Sequence, residues 1–349
     1  LLDIRSREGN KEKFSVNGGI GSISSKLTVE GPIVKNQASY FLSARRTYAD
    51  AFLALAKDTL MRKNKLYFYD INFKTMYKIG NSDKITLTAY TGSDYFGYAK
   101  QYGIGYGNAS GSLQWNHKYG EEINGCLTLY ASDYTYTMFN KSVNYDLDWK
   151  SGIRDYGLKS DFSYYGLNSF KVDFGGAVAY HRFSPGSFTN YLSNETKSVP
   201  NNYATEYGLY ISARHTINER LSAVYGLRYS LFQNIGAGRL YQYDETHNAI
   251  GFTDYKSGDL INSYGGLEPR ANLTYLVNSS LSVKTSYSRT RQYMQLATNN
   301  NTGFPIDFWF PATPNVKPQI ADQMAAGIFK NLNSDMYKLS AETFYKYMQ

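Results

Sequence analysis

The sequence is poor in several residue types, and each shortage closes off a class of protein. It has 349 residues with one cysteine, eight prolines, three tryptophans and four histidines. Cys126 on its own excludes a disulfide framework and a cysteine-based zinc site. His117, His181, His215 and His247 are dispersed without metal-ligand spacing. No stretch approaches the roughly 18 apolar residues of a spanning helix, which excludes a helical membrane protein. The mean hydropathy is negative, but a barrel wall keeps alternate positions polar and averages out the same way. The formal charge is +8, yet Lys and Arg stand singly rather than in runs, which argues against a nucleic-acid surface. Gly103, Gly105 and Gly107 superficially resemble a phosphate loop, but no helix follows and an external loop is expected there. With no catalytic constellation, the reading is no enzyme, no cofactor and no metal.

What is abundant is tyrosine, at 35, together with 19 phenylalanines and 30 glycines. Each Tyr ring is an apolar body with one polar tip, the combination that membrane-interface belts require. The dominant pattern is alternation with period two. Leu221, Ala223, Tyr225, Leu227, Tyr229 and Leu231 share one face, opposed by Ser222, Val224, Gly226, Arg228 and Ser230. Residues 66–79, 262–277, 281–291 and 337–348 alternate in the same way. The polar face carries full charges, such as Lys159 with Asp161 and Lys171 with Asp173. A packed core has no place for that face, and water covers the apolar one only at a cost. Lipid outside and a wet or plugged interior satisfy both.

Connections alternate in length as well. Short polar turns are expected at 34–37, 80–83, 120–124, 167–169, 218–220, 278–280 and 331–335. Longer irregular stretches are expected at 49–65, 99–107, 140–150, 185–203, 235–262 and 292–318, with a short helix over Tyr48–Lys57. Short turns on one side and long loops on the other mark outer-membrane barrels. The count is about fifteen strands, an odd number where bacterial single-chain barrels use even ones. No signal peptide is visible, and both ends read as cuts through a longer polypeptide.

Three regions resemble one family. Residues 2–10 with Phe14–Gly21 and Ser24–Ile33 resemble the plug-to-barrel junction of TonB-dependent receptors, followed by Arg45, Arg46, Thr47 and Tyr48. The closest type is the Bacteroidetes one with an N-terminal carboxypeptidase-regulatory-like domain. His181 to Gly186 is similar to a motif closing one of its strands. Glu268–Arg270, Tyr287–Arg289, Asp307–Pro311 and Lys317–Gln323 follow in the family's order. The resemblance implies an all-β, transmembrane antiparallel β-barrel, part of a 22-stranded plugged one. Residues 1–10 would be the end of the plug and 11–349 a partial barrel, with the TonB box, the rest of the plug and the final strands lying beyond this chain. It further implies TonB-dependent import of a scarce nutrient across the bacterial outer membrane: a metal chelate such as an iron siderophore, haem, cobalamin, an oligosaccharide or a peptide. The implied partners are outer-membrane lipid, the TonB complex through an absent N-terminal segment, the nutrient and a surface lipoprotein. A passive porin, or a barrel-anchored adhesion protein, fits the same wall.

Five residues are candidates for ligand contact. Arg45 shares its face with Ser43 and Thr47 and so points inward, either toward an anionic ligand or into a salt bridge with a plug carboxylate. His181 alternates with Ala177 and Ala179 and also faces the lumen, to meet a ligand or hydrogen-bond to the plug. Phe308, Trp309 and Phe310 form an aromatic cluster in a long loop, as a ligand platform or as self-packing. Arg46 and Tyr48 belong to the outer face, where snorkelling explains them.

Overall fold

A computed structural model of the chain describes residues 7–141, 146–190, 194–299, 306–332 and 336–349. The first wall strands are β1 (Ser15–Ile20), β2 (Ser24–Val34) and β3 (Ala38–Thr47). Two short helices follow, α1 (Ala49–Leu53) and α2 (Thr59–Arg62), where one was expected. Then come β4 (Lys65–Ile79), β5 (Asp83–Tyr98), β6 (Tyr102–Tyr119), β7 (Ile123–Lys141), β8 (Asp146–Leu167) and β9 (Phe170–Asn190). After the short β10 (Glu195–Val199) the wall resumes with β11 (Asn202–Thr216) and β12 (Leu221–Ile235). A first hairpin, β13 (Gly238–Tyr243) and β14 (Ala249–Tyr255), precedes β15 (Leu260–Asn278) and β16 (Leu281–Gln292). A second, β17 (Met294–Asn299) and β18 (Ile306–Pro311), precedes β19 (Gln319–Leu332) and β20 (Tyr337–Met348).

Every ladder is antiparallel, and one sheet runs β1 through β9, then β11, β12, β15, β16, β19 and β20, with β10 attached beside β9. Those fifteen wall strands are the fifteen expected from alternation. Among the described residues the sheet does not close on itself. No described helix is long and apolar enough to cross a membrane, which says nothing of crossing by strands.

The short turns form where local side chains supply the missing backbone partners. Asn218 Oδ1 accepts from the amides of Arg220 and Leu221, both at 2.9 Å, and Asn278 Oδ1 from that of Ser280 at 3.0 Å. Asn36, Gly80 and Gly120 take the left-handed conformation that such reversals need. Residues 333–335 of the last expected turn lie outside the described set.

Three expected loops turn out to be mostly strand of the wall sheet. Pairing of β5 with β6 runs to Tyr98 and Tyr102, so the expected loop at 99–107 is a turn with Ala99 and Lys100 at positive φ. Its glycines lie in the ladder instead: a Cβ on Gly103 would stand 2.2 Å from the Phe139 ring, and one on Gly105 2.8 Å from Thr137 Oγ1. The large neighbour occupies the space that each glycine leaves. Pairing of β7 with β8 reaches Lys141 and Asp146, and β9 continues to Asn190. At 22 residues β8 extends about 73 Å, far beyond the 9–11 residues a tilted crossing needs.

Period two sorts the side chains onto two surfaces. Tyr225, Leu227 and Tyr229 are exposed on one, aligned across β11 with Ala213, Ile211 and Leu209. This face carries aliphatic residues between two aromatic belts. Near the short turns, Trp115, His117 and Tyr119 lie in contact, and Phe170 stacks on His215 at 3.8 Å. Toward the long loops, Tyr67 stacks on Tyr95 and Tyr180 on Tyr203. The opposite, lumen-facing surface is polar, and several of its charges are paired within the wall. Lys159 meets Asp161 at 3.0 Å, Lys171 meets Asp173 at 2.9 Å, and Arg228 meets Glu206 at 3.1 Å.

Candidate functional site

Inside the wall, the described residues that leave the sheet converge on one region toward the long loops. At the end of β16 the chain turns inward. Tyr293 is buried and lies flat on Phe232 of β12, with ring centroids 5.0 Å apart and planes 4° from parallel. Its hydroxyl is 2.7 Å from Ser230 Oγ, which donates to Glu268 Oε1 at 2.6 Å. With the serine hydrogen committed to the carboxylate, Tyr293 is the donor to Ser230. Glu268 is almost fully buried, and its second oxygen lies 3.6 Å from Arg270. A buried carboxylate is tolerable only with such partners.

That anchor lays the β17–β18 hairpin across the lumen side of β7, β8, β9 and β11. Phe183, Ala204, Phe232 and Tyr293 form a buried apolar cluster, and Trp309 packs against it with Ile153, Tyr264 and Met294. The far side is tied down by hydrogen bonds to the outgoing chain. Asn234 Nδ2 donates to the carbonyl of Ala312, and the Tyr264 hydroxyl to that of Thr313 at 2.9 Å. Strand alternation turns Phe308 and Phe310, 6.0 Å apart, to the other face from Trp309.

The expected site residues are thus divided. Trp309 is a docking residue, whereas Phe308 and Phe310 form the hairpin's second aromatic surface. His181 does face inward beneath this region, almost fully buried, with Nδ1 2.8 Å from Asp155 on the neighbouring strand. Its ring is 6.0 Å from that of Phe183, and Nε2 has no hydrogen-bond partner. Arg45 also faces inward, but its Nε donates to Asp70 of β4 at 2.7 Å, and the guanidinium lies 4.9 Å from the Phe68 ring. It belongs to β3, six positions from β9 in the sheet, or about 29 Å along the wall. The structure therefore brings His181 and Trp309 into one neighbourhood and leaves Arg45 apart. Sequence reasoning did not name Ser230, Glu268 or Tyr293 as site residues, although Glu268 opens one of the family motifs. Alternation put the first two on the inward face, but their partner lies 63 residues beyond Ser230.

A second lumen feature lies near the short-turn end. Residues ahead of β1 run along the inner wall: Arg7 meets Glu30 at 2.9 Å and Glu8 meets Lys84 at 3.2 Å, both partners pointing inward. The Asn36 amide donates to the carbonyl of Lys11. A Cβ on Gly9 would fall 2.0 Å from the Tyr40 carbonyl oxygen, so only glycine permits this approach. Leu1 to Ser6 lie outside the described residues. Among the described residues no cluster of His, Cys, Asp and Glu is arranged to hold a metal ion.

Comparison with solved structures finds the same wall. The copper transporter OprC superposes with a TM-score of 0.71 at 12% identity, over 98% of this chain and 55% of its own. BauA, the ferric preacinetobactin receptor of Acinetobacter baumannii, gives 0.64 at 9% identity, over 97% and 55%. The Serratia marcescens hemophore receptor HasR, in a complex with its hemophore HasA and heme, gives 0.63 at 10% identity, over 97% and 54%. The chain spans about half the length of these structures, and identities this low establish the fold alone. No curated protein sequence matches it. The family described as TonB dependent receptor-like, beta-barrel matches residues 41–349, most of the chain, so this chain belongs to the TonB-dependent receptor β-barrel family.

Proposed function

We propose that this chain forms the wall of a receptor in the bacterial outer membrane that imports a scarce nutrient under TonB drive. The supporting observation is the course of residues 7–13. They approach β1 along the inner wall, held by inward-facing Glu30 and Lys84. A passive channel has no need of such a segment, whereas a plug must join its barrel from inside. On this reading residues 1–10 are the end of the plug, and the receptor is of the type with an N-terminal carboxypeptidase-regulatory-like domain. TonB acts through a segment outside this chain, and a surface lipoprotein is the expected outer partner.

The nutrient is too large for porins, with metal chelates and haem the leading classes. Recognition is non-covalent, by Phe308, Phe310 and the hairpin that carries them, with His181 below. Aromatic surfaces with a few convergent polar groups suit a flat or chelated ligand. The test is growth and uptake of candidate chelates in a strain lacking the gene, complemented with the full-length protein, with and without functional TonB. Uptake should require both. Uptake that persists without TonB would leave the passive-channel reading in its place.

A further inference from the structure

The motif from His181 to Gly186 has two faces, and only one serves the lumen. His181 and Phe183 point inward, so Arg182 and Ser184 point to the lipid side. Arg182 is aligned directly opposite Arg154 of β8, which is itself opposite Asp133 of β7. Arg154 donates to Asp133 through Nε at 2.6 Å and also through Nη2. Arg182 is exposed and donates to no carboxylate among the described residues. Lys150, two turns of the pleat further along β8, is likewise exposed without an acidic partner among them. Like charges directly opposite each other on a sheet destabilise it. Of these two aligned guanidiniums only that of Arg154 holds a carboxylate among the described residues, and an anion between them would relieve the repulsion.

The surroundings fit an anion carried by a lipid. Tyr156 and Tyr180, also aligned with each other, sit two residues closer to the membrane centre on the same face. That places both arginines about 7 Å beyond the tyrosine belt, at headgroup depth. Beside them the outward surface is hollowed into a groove of about 720 Å³ that reaches Tyr69 on β4. Its floor carries small side chains, among them Thr91, Gly107, Ala109, Thr135 and Ser184, where the face below carries Leu and Tyr. The register shifts between Lys150 and Gly152, opposite Pro185 and Gly186, so a bulge bends the wall just above the arginines. Hydroxyl groups on the floor and three cations against one carboxylate at the edge suit a phosphorylated sugar.

We propose that Arg154 and Arg182, with Lys150, clamp a phosphate of an outer-leaflet glycolipid whose sugar headgroup lies in this groove. The inference rests on the outer-membrane placement proposed above and is independent of what the receptor transports. Arginine suits the task because its planar fork bonds phosphate bidentately.

Native mass spectrometry of the full-length receptor in detergent tests it, with bis-phosphorylated lipid A as probe. Wild-type protein should retain the lipid, and R182Q should weaken retention about tenfold or more, the loss of a charge-assisted contact. D133N should strengthen it, since the competing carboxylate is gone. R289Q should leave it unchanged, because that outward arginine is already held by Asp322 through two 2.8 Å bonds. Unaltered heat-modifiability on gels shows that each variant is folded. Equal retention by R182Q, equal binding of lipid A stripped of its phosphates, or full displacement by millimolar inorganic phosphate would overturn the proposal. Import that fails with lipid retention intact counts against the transport reading and leaves this one standing.

Discussion

Two hairpins of similar length leave the same side of the wall and meet different fates. β13–β14 is held chiefly by its own residues. Arg239 forms two bonds to Asp254 at 2.6 and 2.8 Å and covers the Phe252 ring at 3.8 Å. Asp244 Oδ1 closes the tip by accepting from the amides of Thr246 and Asn248. Tyr241, Tyr243 and Phe252 remain exposed. β17–β18 instead is bound to the wall through Tyr293, Trp309 and Ala312, and its ends are buried. Local pairing makes either hairpin; burial of its flanking aromatic residues decides whether it docks. An isolated hairpin is marginal in water, so the docked one owes its order to the wall.

The largest expected effect comes from removing the anchor. Tyr293→Ala deletes both the stack on Phe232 and the bond to Ser230, a local cost of about 3–5 kcal/mol by analogy with buried aromatic truncations. Trypsin and chymotrypsin should then cut within 294–318 of the full-length receptor while sparing the wall strands. Resistance equal to wild type would mean that other contacts hold the hairpin. Next in size is Glu268→Ala, which leaves Ser230 and Arg270 without their buried acceptor and should loosen the same hairpin by about 1–3 kcal/mol. Phe252→Ala in the exposed hairpin should leave the proteolysis of 294–318 unchanged.

The smallest effect expected is a response to acid, confined to β13–β14. Arg239 holds Asp254 below the ordinary carboxylate value of 3.8, and the Asn248 amide does the same for Asp244. Groups depressed on folding contribute stability above their unfolded value, and that stability is lost as pH falls through the folded one. Hydrogen-exchange protection over 238–255 should therefore be flat from neutral pH down to about 4 and decline below it. A decline beginning near pH 6 would contradict these carboxylates as its source.

The wall strands were legible because each carries its own evidence. Leu227 beside Arg228, repeated along 221–231, admits only a surface with one apolar and one wet side, whatever the partner strand. The turns at Asn218 and Asn278 were legible because the asparagine supplies its bonds within three residues. The loop expected at 99–107 failed for an instructive reason. Its glycines look like breakers in isolation, and only the ring of Phe139, more than thirty residues on, shows that they belong to the ladder. Arg45 and His181 were placed on the correct face, but their partners, Asp70 and Asp155, proved to be wall residues on adjacent strands.

The sequence by itself determined the period, the faces and the tight turns, since each depends on residues a few positions apart. Tertiary structure alone decided which hairpin enters the lumen, because that rests on contacts such as Asn234 with Ala312, 78 residues apart. It also decided that Arg154 and Arg182 stand opposite each other, with Arg154 rather than Arg182 bonded to the Asp133 carboxylate. Strand register, set by whole ladders of backbone bonds, brings those side chains together, and no short stretch of chain encodes it.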